Sequence, residues 1–356
     1  MPQDESGPDA ELVKPRARRG GGRPTIADVA LRAGVGAITV SRALREPGRV
    51  SPELRRLVAA AVAELGYVPD RNARALASAR ADVIGVLVPS LTNNVFAEVV
   101  RGIYDGLGDS HLQVQIGHTH YSGLEEERLL QVFLSQRPSA LIVSGIDQTP
   151  AARALLENAG CPVVQIMETG PDPVDMMVGF SHFEGGRAAA RHLAEAGYRN
   201  IGFIGARMDP RSKRRLAGYR AAMEDAGIFD PRLVTTTTVP SSVSLGRDLF
   251  REARAKMPAL DAVFCNNDDL ALGVLFECHG AGLAVPSAVG IAGFNDLEMM
   301  EAAFPSITSV RTHRYEIGRL AVSMARAAIS GDRPPQPTVD VGFELMPRES
   351  TKRPAN

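Results

Sequence analysis

Cysteine is scarce in this chain. Three residues, Cys161, Cys265 and Cys278, are spread over 356 positions, with neither the spacing of a disulfide framework nor that of a zinc site. Each lies in an apolar run, which suits a small core side chain, and free thiols fit a reducing cytoplasm. Long apolar runs are missing too, since no stretch approaches the ~20 residues that span a bilayer. The first residues include Pro2, Asp4, Glu5 and Pro8 where an export signal would carry an apolar core. No phosphate-binding GxxxxGK[ST] loop, GxSxG elbow or HExxH helix occurs. Nothing therefore points to an enzyme, a cofactor or a metal. Asp268 and Asp269 look like an acid/base pair, but on a helix they point about 100° apart; one is expected to cap and bind, the other to be structural. His118 and His120 would share one face of a strand, with no third ligand in view. The acidic "GLEEER" (123–128) reads as a first helical turn complementing the helix dipole.

Lysine is also absent from residues 23–80, which hold ten arginines against five acidic residues. The net charge of the whole chain is only −1, so residues 81–356 carry about −6 and the basic excess sits at one short end. That is the footprint of a nucleic-acid module on a neutral or acidic body. Hydrophobic content of 44% and charged content of 23% are ordinary for soluble globular protein. The length suggests a small module attached to a larger one.

Residues 1–22, with "KPRARRGGGR" at their end, read as a disordered arm. Order is expected from "RPTIADVALRAG", where Thr25 and Asp28 have capping-box spacing. Ile26, Val29, Ala30 and Ala33 share a face, and Gly34 ends the helix. A second short helix follows in "ITVSRAL", with Val40 and Leu44 inward and Ser41, Arg42 and Arg45 outward. After the turn "REPGRV", Ser51 and Pro52 open a third helix, with Leu54, Leu57, Val58, Ala61, Val62 and Leu65 as its apolar stripe. Three short helices in this space give a helix-turn-helix layout. "RNARALASAR" (71–80) has no hydrophobic face and reads as a linker that folds only when held. From residue 83, short apolar runs such as "VIGVLVP", "ALIVSG", "IGFIGA" and "VGIAGF" alternate with helical stretches, which predicts doubly wound α/β architecture. The length implies two lobes with a cleft between them.

The motifs "TIADVALRAGV", "TVSRAL", "ELGYVP", "NARALA" and "NDDLALG" together resemble the lactose/galactose-repressor family of bacterial transcription factors, over residues 23 to about 350. Within it, "PSLTNNVFAEVVRGI" and "VFCNNDDLALGVLFEC" look most like the gluconate-operon repressors. The resemblance implies an all-α helix-turn-helix headpiece (23–69), a hinge helix (70–80) and an effector-binding and dimerisation domain (81–350). That domain would have two doubly wound parallel-sheet lobes of periplasmic-binding-protein type. Lobe one is expected at about 81–168 and 309–335, lobe two at about 169–308 and 336–350. The chain ends soon after "GFELMPRES" with no leucine-heptad helix, so a homodimer on palindromic double-stranded operator DNA is expected.

By resemblance, Ala37, Ile38, Ser41 and Arg42 face the major groove. Arg42 can bond guanine O6 and N7 with two parallel donors. Thr25, Thr39 and Ser41 are expected on phosphates, as are Arg45 and Arg49, with Ile26 alongside. Ala37 and Ile38 can only pack against thymine methyls. Much of the selectivity would then come from "NARALA", where Leu76, with Ala73 one turn earlier, would wedge into the minor groove and kink the duplex.

Strand ends place Ser90, Asn93, Val95, Phe96, Arg215, Asn267, Asp268 and Asn295 as ligand-binding candidates. Asn295 stands where the family commonly has Asp, and Ser241 where it often has a stacking aromatic. Both departures, with Arg215 able to clamp a carboxylate, point to an open-chain sugar acid such as gluconate or a keto-gluconate. A phosphorylated sugar acid on the basic run Arg211 to Arg215, or a neutral sugar, are the alternatives. Ligand release of DNA is the expected response. A sugar-binding transport protein is the rival from another class, disfavoured by the basic helical module and by the lack of a visible export signal.

Overall fold

The computed structural model describes residues 24–68 and 81–353. The arm and the linker, and with them Ala73 and Leu76, lie outside the described residues. Two compact units divide the chain, one up to Arg74 and one from Ala75.

The first unit is three helices, α1 (Ile26–Ala33), α2 (Ala37–Arg45) and α3 (Pro52–Leu65). Thr25 accepts from the Asp28 amide while the Asp28 carboxylate accepts from the Thr25 amide, so the capping box forms with aspartate in the acidic place. Gly34 and Gly66 close α1 and α3 in the left-handed region at φ 67° and 60°, which glycine enters without steric cost. Ser51 caps α3 by accepting from the Leu54 amide, with Pro52 in the first turn. Val29, Ala30, Val40, Ala43, Val50, Val58, Ala61 and Tyr67 make the core. Two expectations are corrected. The inward stripe of α2 runs i, i+3 through Val40 and Ala43, which turns Leu44 outward (37% exposed), and on α3 Leu57 lies at the edge of the stripe at 47%.

The second unit begins with β1 (Ala81–Val88), α4 (Asn94–Leu107), β2 (Gln113–His118), α5 (Gly123–Ser135), β3 (Pro138–Ser144), α6 (Pro150–Glu157), β4 (Val163–Ile166) and β5 (Met176–Gly179). It continues with α7 (His182–Glu195), β6 (Ile201–Gly205), α8 (Pro210–Asp225), β7 (Val234–Thr236), α9 (Val243–Lys256), β8 (Ala262–Cys265), α10 (Asp268–Gly280) and β9 (Gly290–Asn295). It closes with α11 (Glu298–Ala302), β10 (Thr308–Thr312), α12 (Arg314–Ile329), β11 (Thr338–Asp340) and β12 (Phe343–Met346). One sheet runs β11-β5-β4-β3-β1-β2 and the other β12-β10-β9-β8-β6-β7. Every pairing is parallel except β10 with β12. Parallel strands are covered on both faces, which is why their sequences read as unbroken apolar runs.

Strand pairing moves the expected lobe boundaries. Val164 pairs with Met176, so β5 belongs to lobe one and the chain first crosses after Gly179. The polar stretch 168–175 is a strand-to-strand loop inside that lobe. β10 pairs with β9, which keeps 308–312 in lobe two, and Thr338 pairs with Met177, which returns 338–340 to lobe one. Helix α12 packs on α4 through glycines. A Cβ on Gly102 would lie 2.0 Å from the Tyr315 carbonyl oxygen, and one on Gly318 would lie 2.1 Å from that of Val99. Only glycine permits that approach.

Candidate functional sites: a helix-turn-helix face and an arginine-lined cleft

On the first unit, Gly36 begins α2 with no side-chain cap, leaving its first amide groups open to an acceptor. Ala37 and Ile38 are exposed, Ile38 at 76%. Thr25 is exposed, while Ile26, Thr39 and Ser41 are half-buried. Arg42 is exposed and has no ion-pair partner among the described residues. Arg49 is exposed and paired with Glu46 at 2.9 Å. Arg32 ties α1 to α3 through Glu64 at 2.5 Å, so that arginine is structural. Arg45 ends α2.

On the second unit, a narrow cleft lies where strands of both sheets end, lined by side chains of both lobes. Asn93, Val95, Phe96 and Tyr121 line it from lobe one; Arg207, Asp209, Arg211, Ser212, Arg215, Asn267 and Asn295 line it from lobe two. His182, Met167, Ala206 and Ser241 complete the wall.

Arg215 is fixed on three sides. Its Nε donates to His182 Nδ1 at 3.2 Å, its Nη1 donates to the Asn266 carbonyl at 2.5 Å, and its guanidinium lies 3.9 Å from the Phe294 ring centroid. Burial lowers its pKa to about 10, so it stays a cation at neutral pH. Its Nη2 has no acceptor among the described residues, and the expected carboxylate clamp is narrowed to the outer end of the guanidinium. His182 donates from Nε2 to the Met167 carbonyl at 3.0 Å. Burial, then Arg215 and Arg211, hold its pKa well below the usual histidine value. It is therefore a neutral acceptor for Arg215.

Asn295 ends β9 at φ 114° and is 4% exposed. Such a backbone is strained for a side-chain-bearing residue. Its Oδ1 is buried with no hydrogen-bond partner among the described residues, an acceptor left for a ligand donor. Asn267 caps α10 by accepting from the Leu270 amide at 3.1 Å, and its amide nitrogen remains available. Asn93 caps α4 through the Val95 amide and donates to the Tyr121 hydroxyl at 3.2 Å. Val95 and Phe96 are an apolar wall. Ser90 sits behind the loop, where its Oγ accepts from the Thr92 and Asn93 amides at 3.2 and 3.1 Å. Asp268 does not line the cleft: it is fully buried and accepts from the Leu297 amide at 2.8 Å and the Ser309 hydroxyl at 2.7 Å.

The aromatic faces in the cleft are covered by cations. Arg207 lies 3.9 Å from the Tyr121 centroid, and Arg211 lies 5.6 Å from that of Phe96. For Asp209, Arg211, the Ser212 amide and Arg215 outweigh the effect of burial and lower its pKa. Three guanidinium groups against this single carboxylate leave the lining net positive. Sequence reasoning missed His182, Tyr121, Arg207 and Asp209 and reached Arg211 only as part of a phosphate-binding run. One signal was available: Arg211, Lys213, Arg214 and Arg215 crowd the first two turns of α8, near the end where the helix dipole disfavours cations.

Residues 25–70 match the profile described as bacterial regulatory proteins, lacI family, and residues 190–351 match a periplasmic binding protein-like domain. An HTH-type transcriptional regulator GntR from Pseudomonas aeruginosa is 44% identical over 93% of this chain and 96% of that protein. The chain belongs to the lacI family. It is a DNA-binding transcriptional regulator with a ligand-binding domain. A lacI-family transcriptional regulator from Silicibacter pomeroyi superposes with a TM-score of 0.87 at 37% identity, covering 93% of this chain and 100% of that one. The lac repressor dimer bound to operator and the anti-inducer ONPF matches with a TM-score of 0.78 at 25% identity, covering 93% and 99%. Membership accounts for both the three-helix unit and the two-lobed cleft.

Proposed function

We propose that this lacI-family regulator is a cytoplasmic repressor, acting as a homodimer on palindromic operator DNA, whose operator affinity is switched by an open-chain sugar acid. Gluconate or a keto-gluconate is the favoured effector. The observation that carries this is the pairing of opposite needs in one cleft. Among the described residues, Arg215 Nη2 has no acceptor and the buried Asn295 Oδ1 has no donor. A carboxylate answers the first and a hydroxyl the second. The aromatic rings already carry guanidinium groups, which leaves little face for a flat sugar ring. The 44% identity to a regulator named GntR agrees with the resemblance to gluconate-operon repressors.

A phosphorylated sugar acid finds less support, because Lys213 is exposed and Arg214 is engaged by Asp147 and Glu168. In this reading residues 23–69 read DNA, with Arg42 on guanine and Arg45 and Arg49 on phosphates. The 70–80 segment places Leu76 in the minor groove, and the protein acts by binding alone, without catalysis. Effector binding favours the lobe arrangement that releases DNA, by its affinity difference between the two states.

A thermal-shift panel of aldonates, keto-aldonates, their phosphates and neutral hexoses tests the effector class. Stabilisation by aldonates is expected. Stabilisation by neutral hexoses and not by acids overturns it.

A further inference from the structure

Three arginines within eight residues of lobe two reach across to lobe one. Arg207 stacks on Tyr121, Arg211 Nη1 donates to Ser144 Oγ at 3.3 Å, and Arg214 grips Asp147. The last contact differs from the others. Arg214 Nη1 and Nη2 donate to both Asp147 oxygens at 2.8 and 2.6 Å, and Nη1 also donates to Glu168 at 3.3 Å. A fork on both carboxylate oxygens fixes angle as well as distance. The pair is only partly exposed, 31% on the arginine and 34% on the aspartate, so solvent screens it less than an ordinary surface pair.

Asp147 is also held from behind. Its neighbour Gln148 donates to the Gly145 carbonyl at 3.1 Å and accepts from Gln165 at 2.9 Å. Arg214 does not line the effector cleft, yet it stands on α8 between Arg211 and Arg215, which do.

We infer that the Asp147–Arg214 pair is a closure latch, with Asp147 a positioning residue that sets how readily the lobes close without touching the effector. Separating the lobes breaks this pair and leaves Arg215 in place, since all three of its partners belong to lobe two. Closure by the latch brings the lobe-one wall of Asn93, Phe96 and Tyr121 onto a ligand that Arg215 already holds. This rests on the cleft being the effector site proposed above.

The test uses the full-length protein with gluconate as probe, in wild type, Asp147→Asn, Arg214→Gln, the double variant and Asp147→Glu. Gluconate binding is expected to weaken about tenfold in each single variant and no further in the double variant, the sign of one shared interaction. Asp147→Glu is expected to retain most of the affinity. Hydrogen exchange without ligand supplies the arm that needs no effector. The 119–122 amides, which do not touch Asp147, are expected to exchange faster in Asp147→Asn because the cleft opens. Additive losses in the double variant, or unchanged exchange at 119–122, overturn the latch. If gluconate fails to bind the wild type, the aldonate reading falls, and the exchange result alone decides the latch.

Discussion

Arg215 donates to the Nδ1 of His182 at 3.2 Å, while the other nitrogen of that ring is committed to the Met167 carbonyl at 3.0 Å. The two contacts fix one neutral tautomer and make the imidazole an acceptor that aims a cation. Replacing Arg215 with Gln is expected to weaken aldonate binding by about 2–5 kcal/mol, as for other buried charge pairs truncated on one side. His182→Phe leaves the guanidinium in place without its acceptor. A smaller loss of about 1–3 kcal/mol is expected there. Isothermal titration of both variants checks the order; an Arg215→Gln protein that binds gluconate like wild type removes the anchor from the account.

Effector binding should take up a proton at Glu168. Burial raises this carboxyl to about 7, opposed by Arg214 and Arg211, with Asp147 adding a smaller upward push. The groups facing it are Arg211 and Arg214 of α8, neutral His182 of α7 and Asp147 beyond β3. An anion on Arg211 and Arg215 cancels part of the charge that holds Glu168 ionised, so its pKa rises further in the complex. A group with a higher pKa in the bound state favours binding at low pH. Gluconate affinity is therefore expected to be strongest below pH 7 and to fall as pH climbs through the raised value. Glu168→Gln should flatten the profile between pH 6 and about 8. Affinity that strengthens with rising pH across that window contradicts the assignment.

The fold was legible wherever a signal was local. Thr25 with Asp28, Gly34 and Ser51 with Pro52 announce helix ends through hydrogen bonds that span three or four residues, and each forms. Sheet membership was not legible at 169–179 or 336–340, because which sheet a short strand joins depends on partners far away in sequence: β5 is claimed by β4 and β11. The cleft shows the same split. Arg215, Asn267 and Asn295 follow from motif and strand ends, whereas His182 and Tyr121 enter it only because two crossovers bring α7 and the loop after β2 face to face. Asp268 misled because a carboxylate next to a capping asparagine looks functional, yet its buried bonds to Leu297 and Ser309 tie α10 to the loop after β9 and to β10.

Asn295 should act as a charge filter. Its Oδ1 is buried without a partner among the described residues, so an aspartate there would place a carboxylate in the same spot and repel an acid. Asn295→Asp is expected to weaken gluconate binding at least about tenfold, roughly 1.4 kcal/mol, and to lose less, or gain, with the uncharged lactone or a neutral hexose. Comparing the two ligand classes on one variant separates charge from misfolding. Equal losses for both would mean that Asn295 shapes the cleft without sensing charge.

Two arginines of the first unit should affect DNA in different ways. Arg42 is exposed beside Ala37 and Ile38, with no ion-pair partner among the described residues, whereas Arg49 already pairs with Glu46 at 2.9 Å. A free guanidinium in the major groove reads guanine, so Arg42→Ala is expected to cost about 1–3 kcal/mol and to relax preference at a single base position. A phosphate contact carries no sequence information, so Arg49→Ala should weaken all sites alike and lower the salt slope by about one ion. Part of the Arg49 charge is already neutralised by Glu46. Its loss should therefore be the smaller of the two, and Glu46→Ala, which frees it, should tighten binding at low salt. Fluorescence anisotropy on an operator and its single-base variants, repeated at several salt concentrations, separates the two arginines. A uniform loss from Arg42→Ala, with base preferences intact, would move the reading head elsewhere on the headpiece.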